Sequence, residues 1–179
     1  MQLLKIQFPN ITGLCDPALL YNPDYKPKLK HGETIFVFNT TALTSTHFGT
    51  HWIVISDVLC NSNCWRIYDS GNTRLQGNEN IQTFMKKLYF ERNTDILTIE
   101  VPSVQVQPNG YDCGVFALAF VRTLVENVDP CVMHYKQTEM REHYNNSMRD
   151  GNLQISPFPF FPRKKCARSE FYEFLIKLK

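Results

Sequence analysis

Gly114 to Val128, GVFALAFVRTLVENV, has no helix breaker before Asp129-Pro130, and its first two turns are apolar on every side. Charge appears only at Arg122 and Glu126, four residues apart, where the two can pair on the one wetted edge. A helix that is apolar all round cannot lie on a surface, so this run predicts a helix through the middle of a packed domain, with the remaining elements wrapped around it. Directly before it stands QPNGYDC, a polar, turn-rich segment. Asn109-Gly110 favours a tight turn, and Asp112 is a candidate cap for a helix beginning at Cys113.

A chain of 179 residues, 43% hydrophobic and 20% charged, suits one globular domain with a real core. Repeats and low-complexity tracts are absent, which excludes a solenoid. The net charge is only +2, and the small basic clusters at Lys26 to Lys30 and Arg163 to Lys165 do not continue into an aromatic platform, so no nucleic-acid partner is expected. No run is long and apolar enough to span a bilayer, and the N-terminus does not read as a secretory signal. The six cysteines therefore read as reduced thiols in a cytoplasmic or nuclear chain, expected to act as a monomer without a membrane partner. The reading is a single catalytic-sized domain over 1–179, with an N-terminal docking arm at 1–33 and a Pro-rich extension at 152–179.

The arm is punctuated by Asp16-Pro17 and Asn22-Pro23, which leave room for short helical turns at Leu3 to Gln7 and Ala18 to Tyr21. ETIFVFN, around Thr34 to Asn39, reads as a strand, and TTALTSTHFGT as a loop. HWIVISDV and CWRIYDS, joined by LCNSNC, read as a β-hairpin. Apolar residues at 81, 84, 85 and 88 mark an amphipathic helix over Asn80 to Phe90, and DILTIEV alternates as a half-buried strand. Gln137 to Met148 reads as a surface helix, LQISPFPFFPRKK as extended chain and SEFYEFLIKLK as a short closing helix. The mixture is α+β.

A thiol at the N-terminus of a helix meets a partial positive charge that favours its nucleophilic thiolate, and Gly114 would let a substrate carbonyl approach the main chain. Taken alone, a cysteine at such a join is more often packed in a core than reactive. Reactivity needs a base, a group to orient that base and an oxyanion donor. His51 opens the first strand of the hairpin and Asp69 closes the second, and in an antiparallel pair those two ends lie together. The Gln107 amide, six residues before Cys113 and across the turn, could donate to an oxyanion together with the Cys113 N–H. Each of these residues also has a plain structural use, His51 at a strand end, Asp69 before a Ser-Gly turn and Gln107 in a loop. Their joint order and spacing is what points to catalysis.

In that order, His51-Trp52, Tyr68-Asp69-Ser70 and Gln107 with Gly110-Tyr111-Asp112-Cys113-Gly114 resemble the ubiquitin-like-protein-specific cysteine proteases, the SUMO or sentrin-specific protease family. The resemblance runs from about Thr34 to Val128. It implies a papain-like α+β fold, with the nucleophile heading a central helix on a mostly antiparallel sheet. It further implies Cys113 as nucleophile, His51 as base and then acid, Asp69 as its orienter and Gln107 as oxyanion donor. Trp52, Gly110 and Gly114 would line a narrow channel for a Gly-Gly terminus, and the expected partners are a ubiquitin-like modifier and its conjugates. Better-known members carry a longer region before the histidine, with a second tryptophan facing the first; here the other tryptophan is Trp65, inside the hairpin. This compact form resembles protease domains of viruses and mobile elements.

No cofactor is implied. Cys60 and Cys64 flank the hairpin turn without a second ligand pair at zinc spacing, and His47 and His51 stand four apart in what reads as loop and strand, so no metal site is expected. The rival readings are a catalytically silent module that only binds a modifier, which would need no nucleophile, and an acyltransferase of the same clan, which would need a site for its acyl donor.

Overall fold

The computed structural model describes residues 1–41, 51–73, 75, 77–92, 97–151 and 160–162. A short helix α1 (Gln2–Gln7) and a turn of 3₁₀ helix at Pro17–Tyr21 precede strand β1 (Ile35–Asn39). Strands β2 (Trp52–Ser56) and β3 (Cys64–Tyr68) follow, then helix α2 (Glu79–Arg92) and strand β4 (Thr98–Glu100). Helix α3 (Cys113–Val125), strand β5 (Met133–Tyr135), helix α4 (Gln137–Asp150) and strand β6 (Phe160–Pro162) complete the order.

The main sheet runs β1-β2-β3-β4, antiparallel across its first three strands and parallel between β3 and β4. Side chains alternate across it. Ile35, Val37, Val54 and Tyr68 face one core, shared with Phe116, Phe120, Val121 and Leu124 of α3. Phe36, Phe38, Ile53, Ile55, Trp65 and Ile67 face the other, shared with Phe84, Met85 and Leu88 of α2. With both faces covered, the strands read as near-continuous apolar runs, and the architecture is a sheet held between two helical layers.

The α3 side is built from rings. Phe120 packs against Phe116, Tyr68 and Tyr135 with centroids 5.5 to 6.2 Å apart, tilted or edge-on as aromatic quadrupoles prefer. The hydroxyl groups of Thr123 and Tyr135 lie 2.9 Å apart, so the polar atoms enter the core already paired. Arg122 and Glu126 do pair, as their spacing predicts. Trp65 is fully buried on the α2 side, stacked on Phe36, and takes no part in the surface near Trp52.

The expected elements are present at nearly the expected bounds, apart from the closing helix at 169–179, the loop at 42–50 and the extended run at 153–165 except for 160–162, which lie outside the described residues. One pairing was not foreseen: β5 and β6 form a separate antiparallel pair, Met133 against Pro162 and Tyr135 against Phe160. Three-residue strands of this kind carry too little periodicity to be seen in sequence. The first thirty residues are more firmly seated than an extended arm suggests, since Leu4 and Leu14 enter the α3-side core and Leu20 the α2-side core.

Candidate active site

The hairpin register explains how its open end is assembled. Val54 pairs with Tyr68 and Ser56 with Arg66; continued outward, the same register sets His51 against Gly71, two residues beyond Asp69. An offset of two keeps both side chains on one face of the sheet, since side-chain direction has period two. His51 Nε2 lies 2.5 Å from Asp69 Oδ1. The backbone carbonyl of His51 is held in turn by the N–H of Thr40, at 2.9 Å.

Gly71 is required by that contact. A Cβ there would stand 2.6 Å from His51 Cε1 and 3.0 Å from Nε2, inside the imidazole's own space. The Gly71 N–H also donates to Asp69 Oδ1 at 2.7 Å, and Thr73 donates to Oδ2 through both its N–H (2.8 Å) and its hydroxyl (2.6 Å). The Asp69 side chain is only 2% exposed. Burial alone would raise its pKa, but the bonds from His51 and Thr73 outweigh it and hold the carboxyl below its ordinary value.

The second half of the site is a turn. Gln107 is anchored at both ends of its residue: its N–H donates to Ser70 O and its Oε1 accepts from the Ser70 hydroxyl, each at 2.8 Å. Its Nε2 therefore faces the other way, donating to Asn109 O at 2.5 Å. The Asn109 side chain accepts the N–H groups of Tyr111 (3.1 Å) and Asp112 (3.0 Å). A Cβ on Gly110 would meet nothing within 4 Å, so Asn109, rather than Gly110, gives the turn its shape.

Asp112 occupies the cap position of α3, but its side chain makes no bond to the helix. It is fully buried and turns toward α4 instead, where Gln137 Nε2 donates to Oδ2 and Arg141 Nη2 to Oδ1; Asn109 Nδ2 adds a 2.7 Å bond. Those partners lie 25 and 29 residues away in sequence, so a local capping rule could not anticipate them. Cys113 begins α3 and is 7% exposed. A Cβ on Gly114 would lie 3.5 Å from Trp52 Cδ1, so the indole rests against this glycine. His51 and Cys113, one residue before each of that pair, are thereby brought to the same end of the sheet.

The structure thus joins His51 to Asp69, Trp52 to Gly114, and Gln107 to the turn before Cys113. Gly71, Thr73, Gln137 and Arg141 are additions to the residues singled out from sequence, and Ser70, there only part of a motif, is seen to hold Gln107. Gly71 and Thr73 had a readable signal, since aspartate commonly accepts N–H groups just downstream. Gln137 and Arg141 are four apart on one face of α4, but nothing local says what that face meets. Among the described residues, no cluster of three His, Cys, Asp or Glu could hold a metal, and no helix is long and apolar enough to cross a membrane.

The model of the Ulp1 protease family, C-terminal catalytic domain, matches residues 29–151. The chain belongs to that family. It is accordingly a cysteine peptidase with a papain-like fold, of which α3 on the mostly antiparallel sheet is the central pairing. A solved structure described as "Crystal structure of the de-sumoylating protease" is similar over 69% of this chain, at 17% identity and a TM-score of 0.35. The match spans 44% of that structure's length. No curated protein sequence matches the chain.

Two measurements test the geometry of this Ulp1-family site. Gly71→Ala should drive the imidazole off Asp69, and the downfield N–H resonance of a hydrogen-bonded His51 ring should vanish from the proton spectrum of a still folded protein. Persistence of that resonance would mean that the glycine is not needed. The second concerns acid. Because the folded Asp69 carboxyl is depressed, its stabilisation is fully present above the unfolded value of about 4 and is lost as pH falls through the folded one. Thr73→Val removes one donor, so its stability should fall less than that of the wild type between about pH 5 and pH 2; chemical denaturation at each pH reads the difference.

Proposed function

We propose that this peptidase cleaves the C-terminal peptide or isopeptide bond of a ubiquitin-like modifier, with Cys113 as nucleophile, His51 as general base and then acid, Asp69 as its orienter and Gln107 as oxyanion donor. The observation that carries the reading is the 2.5 Å contact of His51 Nε2 with Asp69, at the end of the sheet where Trp52 rests on Gly114. With Nε2 committed to the carboxylate, Nδ1 is the nitrogen left to exchange a proton with a thiol.

The steps follow from these positions. His51 takes the Cys113 proton, the resulting thiolate attacks the carbonyl carbon, and the carbonyl oxygen becomes an oxyanion. The Cys113 N–H and the Gln107 amide donate to it, the latter with its orientation set by Ser70. The imidazolium then protonates the departing amine and a thioester remains. Water, deprotonated by His51, attacks the thioester and returns the thiol and a free C-terminus. The indole of Trp52 rests on Gly114, next to the nucleophile, where a terminus of glycines would pass it with the least obstruction. Proteases of the Ulp1 family act on ubiquitin-like modifiers, which makes a SUMO-like modifier the first to try.

A panel of ubiquitin-like proteins bearing C-terminal electrophiles, read by intact mass, tests the assignment. One member should form a stable adduct that maps to Cys113 and is absent in Cys113→Ala. An adduct on another cysteine, or none from any member, would overturn it. With the reactive modifier in hand, Gln107→Ala should lower kcat by about 100- to 1000-fold, roughly 3–4 kcal/mol of barrier, and leave the affinity for uncleaved modifier unchanged. Turnover at the wild-type rate would remove Gln107 from the chemistry.

A further inference from the structure

An aspartate immediately before a helix ordinarily has an extended backbone and folds its carboxylate onto the free N–H groups of the first turn. Asp112 does neither. Its backbone lies at φ −93° and ψ 4°, in the sparsely used bridge region, and its carboxylate is drawn outward to α4. The consequence falls on its neighbour, Cys113, the first residue of α3. A carboxylate folded onto the helix end would occupy N–H groups there and set a full negative charge beside the thiol.

Two side chains of α4 oppose that. Gln137 and Arg141 stand four apart, on one face, and each donates to a different oxygen of Asp112. Arg141 does more: its Nη2 also donates to Tyr111 O at 3.3 Å, and its guanidinium lies 5.5 Å from the centre of the Tyr111 ring. The guanidinium thus grips two successive residues of the turn and neutralises the buried charge between them. The same turn reaches Gln107, because Asn109 donates to Asp112 through its side chain and accepts from Gln107 through its carbonyl.

We infer that Arg141 is a positioning residue for the cysteine peptidase reaction: by holding the Asp112 carboxylate on α4 it keeps the N-terminus of α3 open, so that this helix end serves the Cys113 thiolate and the oxyanion instead of an aspartate cap. The inference rests on Cys113 being the nucleophile. It assigns to an arginine half exposed on a surface helix a part in the chemistry of a cysteine 28 positions earlier in the chain. The charged and titratable groups bearing on the thiol are then His51 and Asp69 from the hairpin, Asp112 from the turn and Arg141 from α4. Loss of Arg141 changes only the last two.

The test is alkylation of the intact protein by iodoacetamide across pH, with the labelled cysteine identified by mass. In Arg141→Ala the rate at Cys113 below its midpoint should fall about tenfold and the midpoint should move up, as expected for a new charge at a helix end. Adding Asp112→Ala should restore the rate, because no carboxylate remains to fold back. Arg141→Lys should stay near the wild type. A merely structural arginine predicts the opposite of rescue, since the double variant would lose more contacts than the single one. An unchanged rate in Arg141→Ala, or no recovery in the double variant, overturns the inference; circular dichroism of Arg141→Lys and of the double variant guards against reading misfolding as either. If instead Cys113 is not the thiol labelled first in the wild type, it is the assignment of the nucleophile that fails.

Discussion

The pairing of β2 with β3 is the constraint from which the rest of the site follows. Its register leaves His51 and Asp69 two positions out of alignment, and that even offset puts both side chains on one face. A slip of a single residue would send them to opposite faces, with no local adjustment able to recover the contact. The same register places Gly71 opposite the imidazole, where a Cβ would collide with the ring. The bonds from Gly71 and Thr73 then fix the carboxylate itself, so that the ring is oriented by a group that cannot turn. A buried anion needs this many donors to remain an anion.

Helix α3 supplies the second constraint by serving core and site at once. Phe116, Phe120 and Leu124 seal one face of the sheet while Cys113 and Gly114 open the helix at its edge. Burying the helix is what gives its N-terminus a fixed place against Trp52. The turn before it is kept in an unusual backbone conformation by bonds from Asn109 and from α4, so the loop is held by elements on both of its sides.

Much of this was legible in the sequence because it rests on local rules. The apolar run after Cys113 marked the central helix, and two β-rich runs around Asn-Ser-Asn marked the hairpin, whose antiparallel ends had to meet. What escaped was non-local or spatial. Asp112 carried every local sign of a cap, and only the packing of α4 explains why it is not one. The Asn109-Gly110 pair marked the turn, which the Asn109 side chain holds, but nothing local marked Gly71 as the glycine that leaves room for the imidazole. The β5–β6 pair joins residues far apart through strands too short for any pattern.

The two cores on either side of the sheet are not equivalent. The α3-side core carries the helix that begins at Cys113, so a lost methylene there moves the end of that helix as well as lowering stability. Among the described residues, the α2-side core, with Trp65, Phe36 and Phe84, shares no member with that helix or the turn before it. The α2-side layer reaches the site through Ile53, Ile55 and Ile67, the inner residues of the hairpin that carries His51 and Asp69, so packing there acts on the base and its orienter while packing on the α3 side acts on the cysteine.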